Sequence, residues 1–272
     1  MEQDNKIAIL QPFLMWKAKE YHCLSGGFPG ISRFYEFTVD TEQTEVFRAV
    51  PDGAIDLLFG IGESDVHTNI GGTVLKAKGW QMEKDRRYFG VRFEPGKCCL
   101  PKTLQIQELI NQDLAIDGDS FGRNLSEKLA LGRSLEERAA IFMRYYIRRM
   151  KSQAEKKNTQ LLEQYIRKRI YESKGMVTVR VLREETGYSE AYLRRVFEKV
   201  HGISPKLFEK FVRFQYLLNM MQEDTQSLSM DELAVSCGYY DQPHMIKEFK
   251  LFTGLTPDKY RKLMCTQNVT LR

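Results

Sequence analysis

The chain has 272 residues, of which 42% are hydrophobic and 28% charged, with a formal net charge of +5. That length allows one or two domains with respectable cores, and no run of eighteen apolar residues is present to span a membrane. The opening "MEQDNKIAIL" lacks the basic and long apolar regions of a secretory signal, and five scattered cysteines read as reduced thiols, so a cytoplasmic location is expected.

Taken in chain order, the first hundred residues are strand-rich. "AIDLLF" (Ala54–Phe59) and "RYFGVRF" (Arg87–Phe93) are short apolar-aromatic runs bounded by the turn signals Pro51-Asp52-Gly53 and Pro95-Gly96. From Lys102 the texture becomes helical: Leu135, Ala139, Phe142 and Tyr146 recur at spacings of four, three and four. This Leu135–Met150 stripe suits either a dimerisation helix or a helix packed on its own domain. "KSQAEKKN" (Lys151–Asn158) is polar and reads as a linker. The expected domains are therefore 1–150, a linker at 151–158, an all-helical domain at 159–264 and a tail at 265–272.

Charge separates the halves. Residues 1–149 hold 20 Lys+Arg against 21 Asp+Glu, whereas residues 150–272 hold 21 against 15. The second half is the candidate for a polyanionic partner.

That half contains a repeat. "TGYSEAYLRRVFEKVHGISP" (Thr186–Pro205) returns as "CGYYDQPHMIKEFKLFTGLTP" (Cys237–Pro257), with an offset of 51 residues at the glycines and 52 from the phenylalanines onward. One residue has been added where the second copy turns into its helix. Gly187 suits a left-handed helix stop, and Ser189 is a good N-cap for a helix from Glu190 to about His201. Leu193, Val196 and Phe197 point to a core, leaving Arg194, Arg195 and Lys199 outside that stripe. In the second copy Ser229 caps a supporting helix Met230–Cys237, Gly238 ends it, and Asp241 caps a helix Gln242–Phe252 with Pro243 in its first turn. Each copy has the layout of a helix-turn-helix, in which one helix supports and the next offers a face to the major groove. Between them, Pro205 to about Gln222 carries apolar residues on two sides and is expected to pack on both. Such a helix spans roughly 27 Å, close to the ~34 Å between successive major-groove faces.

The two segments, and above all Leu233-Ala234, Cys237-Gly238-Tyr239, Phe249-Lys250, Gly254, Pro257 and Tyr260-Arg261, resemble the DNA-binding domain of the AraC/XylS transcription regulators. The resemblance covers about residues 160–263. It implies seven helices, two helix-turn-helix units on a linking helix, promoter binding and RNA polymerase as a further partner. Carried onto this chain, it points to Ser189, Ala191, Arg194, Arg195 and Lys199 in the first unit and Gln242, Pro243, His244 and Lys247 in the second as the DNA-facing residues. Arginine pairs bidentately with guanine and glutamine with adenine. Pro243 departs from this pattern, since it offers no hydrogen bond.

"AVPDGAIDLLFGIG" and the later Gly-Val-Arg-Phe-x-Pro-Gly stretch resemble an N-terminal domain of such regulators, which implies a small cupin-like β-barrel followed by helices. The fold class expected is thus α+β. Such domains bind a small-molecule effector or form a homodimer; Asp56 and Arg92 are the effector candidates, an internal ion pair being the competing reading. Adjacent Cys98-Cys99 suit a disulfide poorly. Only His22 and His67 lie in this half, so neither metal nor cofactor is expected. An enzyme with a borrowed DNA-binding tail would need a cysteine cluster or His/Glu ligands; neither is visible. A regulator acting through a protein partner, without its own effector, is the other alternative.

Overall fold

A computed structural model describes residues 7–13, 19–39, 47–84, 86–152, 158–223 and 228–267. Eight strands come first: β1 (Lys19–Ser25), β2 (Ile31–Thr38), β3 (Phe47–Ala49), β4 (Ile55–Ile61), β5 (Val66–Gly71), β6 (Lys78–Trp80), β7 (Arg87–Phe93) and, after the short helix α1 (Ile106–Leu109), β8 (Asp113–Ile116). A 3-10 turn (Gly118–Phe121) leads to α2 (Leu125–Leu131) and α3 (Leu135–Ser152). Seven helices follow among the described residues: α4 (Asn158–Glu172), α5 (Val179–Thr186), α6 (Glu190–His201), α7 (Pro205–Glu223), α8 (Met230–Ser236), α9 (Gln242–Thr253) and α10 (Pro257–Gln267). The chain is α+β, as expected. The sequence-based linker falls mainly on 153–157, outside the described residues.

Six strands form one antiparallel sheet in the order β1-β2-β7-β4-β5-β8, and β3 pairs with β6 as a separate ribbon. Side chains alternate across the sheet because successive residues of a strand point to opposite faces. Phe34, Leu57, Phe59, Phe89, Val91 and Phe93 fall on one face, where Ala139, Phe142 and Tyr146 of α3 join their core. The apolar stripe of α3 is therefore covered by its own domain. Tyr35, Phe37 and Tyr88 belong to a second cluster on the opposite face, which the β3–β6 ribbon closes over. The enclosed form expected of a cupin-like domain is made in this way, by a sheet and a ribbon.

Register explains the two sequence motifs. β4 and β7 pair with Asp56 opposite Arg92 and Leu58 opposite Gly90. A Cβ at Gly90 would overlap the Tyr35 ring, so glycine lets that ring lie across β7. At the entry to β4, Asp52 accepts a hydrogen bond from Ala54 N (2.9 Å), and Gly53 takes φ +81°. That left-handed turn is cheap only for glycine, and a side chain there would strike Phe208 on α7.

The helical half is built around α7. Phe208, Phe211, Val212, Phe214, Leu217, Leu218 and Met221 are buried, confirming a helix packed on two sides. Its core extends beyond the helices, because Leu10, Phe13 and Val50 belong to the same cluster. Residues 8–10 run along α7, held by two amide side chains one turn apart. Asn219 bonds Ala8 N (3.1 Å) and O (2.8 Å), and the fully buried Gln215 bonds Leu10 N (2.8 Å), Leu10 O (3.3 Å) and Pro51 O (3.0 Å).

Candidate nucleic-acid interface and the cavity behind it

Both repeat units fold as the caps and glycines dictate. In the first, α5 is capped by Thr178 and stopped by Gly187 at φ +73°. The Ser189 hydroxyl then accepts from Tyr192 N (3.3 Å) to start α6. In the second, Ser229 and Glu232 form a reciprocal capping box on α8, and Asp241 accepts from His244 N (2.7 Å) at the start of α9. Each of these bonds satisfies a backbone donor left open at a helix start. The extra residue of the second copy lies in the turn: Tyr239 is buried, and Tyr240 stands 92% exposed before the cap. Equivalent core positions agree, since Leu182 and Leu233, Phe197 and Phe249, and Phe208 and Tyr260 are all fully buried.

The face opposite that core is open. Ala191, Arg194, Arg195 and Lys199 are exposed along α6, as are Pro243, His244 and Lys247 along α9, while Gln242 is half-buried and Ser189 is an exposed cap. Arg194 is paired with Glu198 (2.7 Å) on the surface, a contact worth only about 0.3–0.5 kcal/mol and easily given up to a phosphate or a base. Arg195 lies over the Tyr192 ring at 5.0 Å.

Each reading helix is fixed from behind by residues absent from the sequence-based set. Glu248 of α9 is buried and bonded by Arg213 of α7 (2.8 Å), whose guanidinium also lies 4.5 Å over the Tyr239 ring. On α6, His201 is buried with Nε2 at 2.9 Å from Glu163 and its ring stacked on Phe197 at 4.0 Å. Burial holds the His201 pKa below 6.5, against the pull of Glu163. A signal existed for both pairs: Arg213, Glu248 and His201 are polar residues inside otherwise apolar stripes.

The N-terminal domain touches both units at the C-terminal ends of their reading helices. Gln107 donates to Glu198 O (3.2 Å), and Gly96 lies so close that a Cβ would meet His201 Cε1 at 2.8 Å. On the other unit, Ala77 N donates to Leu251 O (3.4 Å). None of the exposed side chains expected to face DNA takes part in these bonds.

Asp56 and Arg92, the effector candidates, are brought together as an ion pair (Arg92 Nη1 to Asp56 Oδ2, 2.5 Å), and Arg92 Nη2 also contacts Asp52. Gln11 donates to Asp52 (2.8 Å) and Tyr35 to Asp56 (3.2 Å). The pair lines a cavity of about 100 Å³ between sheet and ribbon, walled also by Tyr35, Phe37, Trp80 and Met82. Burial pushes the Asp56 carboxyl up to about 7 and the Arg92 guanidinium down to about 10. Among the described residues, no group of three or more His, Cys, Asp or Glu is placed to hold a metal ion. The described cysteines are all free, and burial raises Cys98 well above the usual thiol range. No helix among the described residues is long and apolar enough to cross a membrane.

Comparison with known proteins meets this geometry. Residues 182–263 match the family model described as a helix-turn-helix domain, and residues 29–115 match one described as a domain of unknown function (DUF6597). A protein of Haemophilus influenzae named "Uncharacterized HTH-type transcriptional regulator" is 33% identical over 81 residues, 30% of this chain and 26% of that relative. The match thus spans about a quarter of the relative's length. Among solved structures, the C-terminal domain of AraT, a response regulator from Geobacillus stearothermophilus, is 26% identical, with coverage of 39% of this chain and 84% of that one and a TM-score of 0.33. ToxT from Vibrio cholerae O395 is 9% identical, with coverage of 89% and 97% and a TM-score of 0.45. Residues 182–263 of this chain form a helix-turn-helix domain, in keeping with the AraC/XylS resemblance of its sequence.

Proposed function

We propose that the chain is a sequence-specific transcription regulator of the AraC/XylS type that reads two adjacent major-groove segments of promoter DNA in the cytoplasm and acts on RNA polymerase. Residues 159–264 bind the DNA, and residues 1–150 modulate that binding. Base contacts come from Ala191, Arg194 and Arg195 of α6 and from Gln242, His244 and Lys247 of α9. Ser189, Lys199 and Pro243 lie against the backbone. The observation that carries this reading is the mounting of two open, partly basic helix faces on one 19-residue helix. At 1.5 Å per residue it is roughly 28 Å long, close to the ~34 Å of one duplex turn.

Modulation by the first domain is supported by its bonds to α7 and to the ends of both reading helices, and by the cavity directly behind Asp52 and Gln11, which suits a small-molecule effector. A homodimer would need a surface other than the buried stripe of α3.

Electrophoretic mobility shift with the DNA upstream of its own coding region tests the proposal. The protein should select that DNA over unrelated sequence. Its affinity should fall with salt at a slope of about −0.9 per phosphate contacted, because each contact releases counterions. Equal binding to all sequences, or a flat salt response, would refute the reading.

A further inference from the structure

Two arginines stand side by side on the open face of α6, and they are held in opposite ways. Arg194 donates from Nε to Glu198 one turn further along (2.7 Å). That bond uses an edge donor and draws its guanidinium toward the C-terminal end of the helix. Arg195 lies over the ring of Tyr192, one turn back, at 5.0 Å. A contact over a ring face consumes none of the five N–H donors that fan out from a guanidinium edge. Among the described residues, no carboxylate or carbonyl engages those donors of Arg195.

Tyr192 is itself anchored. It is half-buried and packed against the helical core. Tyr188, just before the Ser189 cap, stacks on it with ring centroids 5.0 Å apart and planes 28° from parallel. Side chains on a helix lean toward its N-terminus, so the two rings and the guanidinium gather at the first turns of α6. That is the end from which a recognition helix reads base edges. The second unit uses the corresponding rings differently. Counting its added residue, Tyr239 and His244 stand where Tyr188 and Tyr192 do, and their rings meet edge-on at 5.5 Å. The cation there is Arg213 of α7, 4.5 Å over the buried Tyr239 and tied to Glu248. It serves the core side, and Lys247, in the place of Arg195, has no ring beneath it among the described residues.

We infer that Tyr192 is a positioning residue for DNA reading: it holds the Arg195 guanidinium at the groove end of α6 with its edge donors open to a guanine. Ordering a long side chain at an interface costs affinity, and a ring that orders it beforehand removes part of that cost. Arg194, by contrast, must first give up Glu198. The inference rests on the reading of α6 as a recognition helix and names the residue that sets its geometry. The effect belongs to sequence-specific binding alone, because phosphate contacts carry no sequence information.

Fluorescence anisotropy on the full chain tests this, with the upstream DNA segment protected in footprints and with an unrelated duplex. Tyr192→Leu should weaken binding to the protected segment about three- to fivefold and leave the unrelated duplex unchanged. Tyr192→Phe keeps the ring and should bind as the unsubstituted protein does. On an Arg195→Ala background Tyr192→Leu should cost nothing further, and on an Arg194→Ala background it should keep its full effect. Tyr192→Met, also ringless, carries the same expectations and guards against a folding defect in one variant, with circular dichroism as the check. An equal loss in Tyr192→Phe, equal losses on both duplexes, or losses that add to Arg195→Ala would overturn the inference alone. No preference for upstream DNA in the unsubstituted protein, or a preference kept in Arg195→Ala, would overturn the recognition-helix reading and the inference with it.

Discussion

In the first helix-turn-helix unit, the reading helix α6 is held at its C-terminal end by the N-terminal domain, through Gln107 on Glu198 O and the Gly96 turn against His201. In the second, α9 is held chiefly from within the helical domain, by Arg213 of α7 on the buried Glu248. The two units share their caps, glycines and core positions, so the difference is one of tethering. Both helices are also held from within the helical domain, α6 by Glu163 on the buried His201 and α9 by Arg213 on Glu248. The neighbouring domain adds a side-chain bond and a close turn at α6 but a backbone bond at α9. Their open faces differ too: α6 presents two arginines and a lysine, and α9 opens on Gln242, Pro243 and His244.

The sharpest way to break this comparison is at the arginines. Arg194→Ala with Arg195→Ala removes two side chains suited to guanine, each worth about 1–3 kcal/mol of discrimination. Operator affinity should drop by about thirtyfold or more in mobility shifts, with an unchanged circular dichroism spectrum, since both residues are exposed. Retained promoter selectivity would refute the assignment of α6 as a reading helix.

Next in size is Arg213→Met. It leaves Glu248 buried without its main partner, a change that costs about 3 kcal/mol, read as a lower midpoint in denaturant unfolding. Protection of the second half of the operator in footprints should weaken more than that of the first. Equal weakening of both halves would show that α7, rather than one unit, depends on Arg213.

The smallest effect is on pH dependence. His201 is neutral when buried, with its pKa held below 6.5 by burial, and it faces Glu163, Arg167 and Lys97. As pH falls below 6.5 the unfolded chain takes up a proton that the folded chain resists, so stability declines on acidification through that window. His201→Gln keeps a donor toward Glu163 and should flatten the decline in thermal midpoint between pH 6.5 and 5. An unchanged slope would place the titration elsewhere.

Local chemistry was legible in the sequence and long-range contact was not. Ser189, Asp241, Gly187 and the two-sided stripe of α7 each act within a few residues, so caps, turns and packing faces could be read directly. The added residue of the second copy was legible too, and the structure shows it as the exposed Tyr240. Asp56 and Arg92 stood out by motif, but that they face each other across β4 and β7 is a matter of strand register, which neither motif specifies. Least visible was the joining of residues 8–10 to α7 through Gln215 and Asn219, a contact between positions about 200 residues apart. Its only trace was a polar residue in an apolar helix.

The account stands on two reading helices set at a fixed spacing by α7. Its most direct test is binding to an operator, located by footprinting, with five or ten base pairs inserted between the two protected segments. Either insertion should reduce affinity to that of a single segment, because five pairs turn the second face away and ten move it about 34 Å beyond the reach of the helix. Affinity unchanged by both insertions would contradict it.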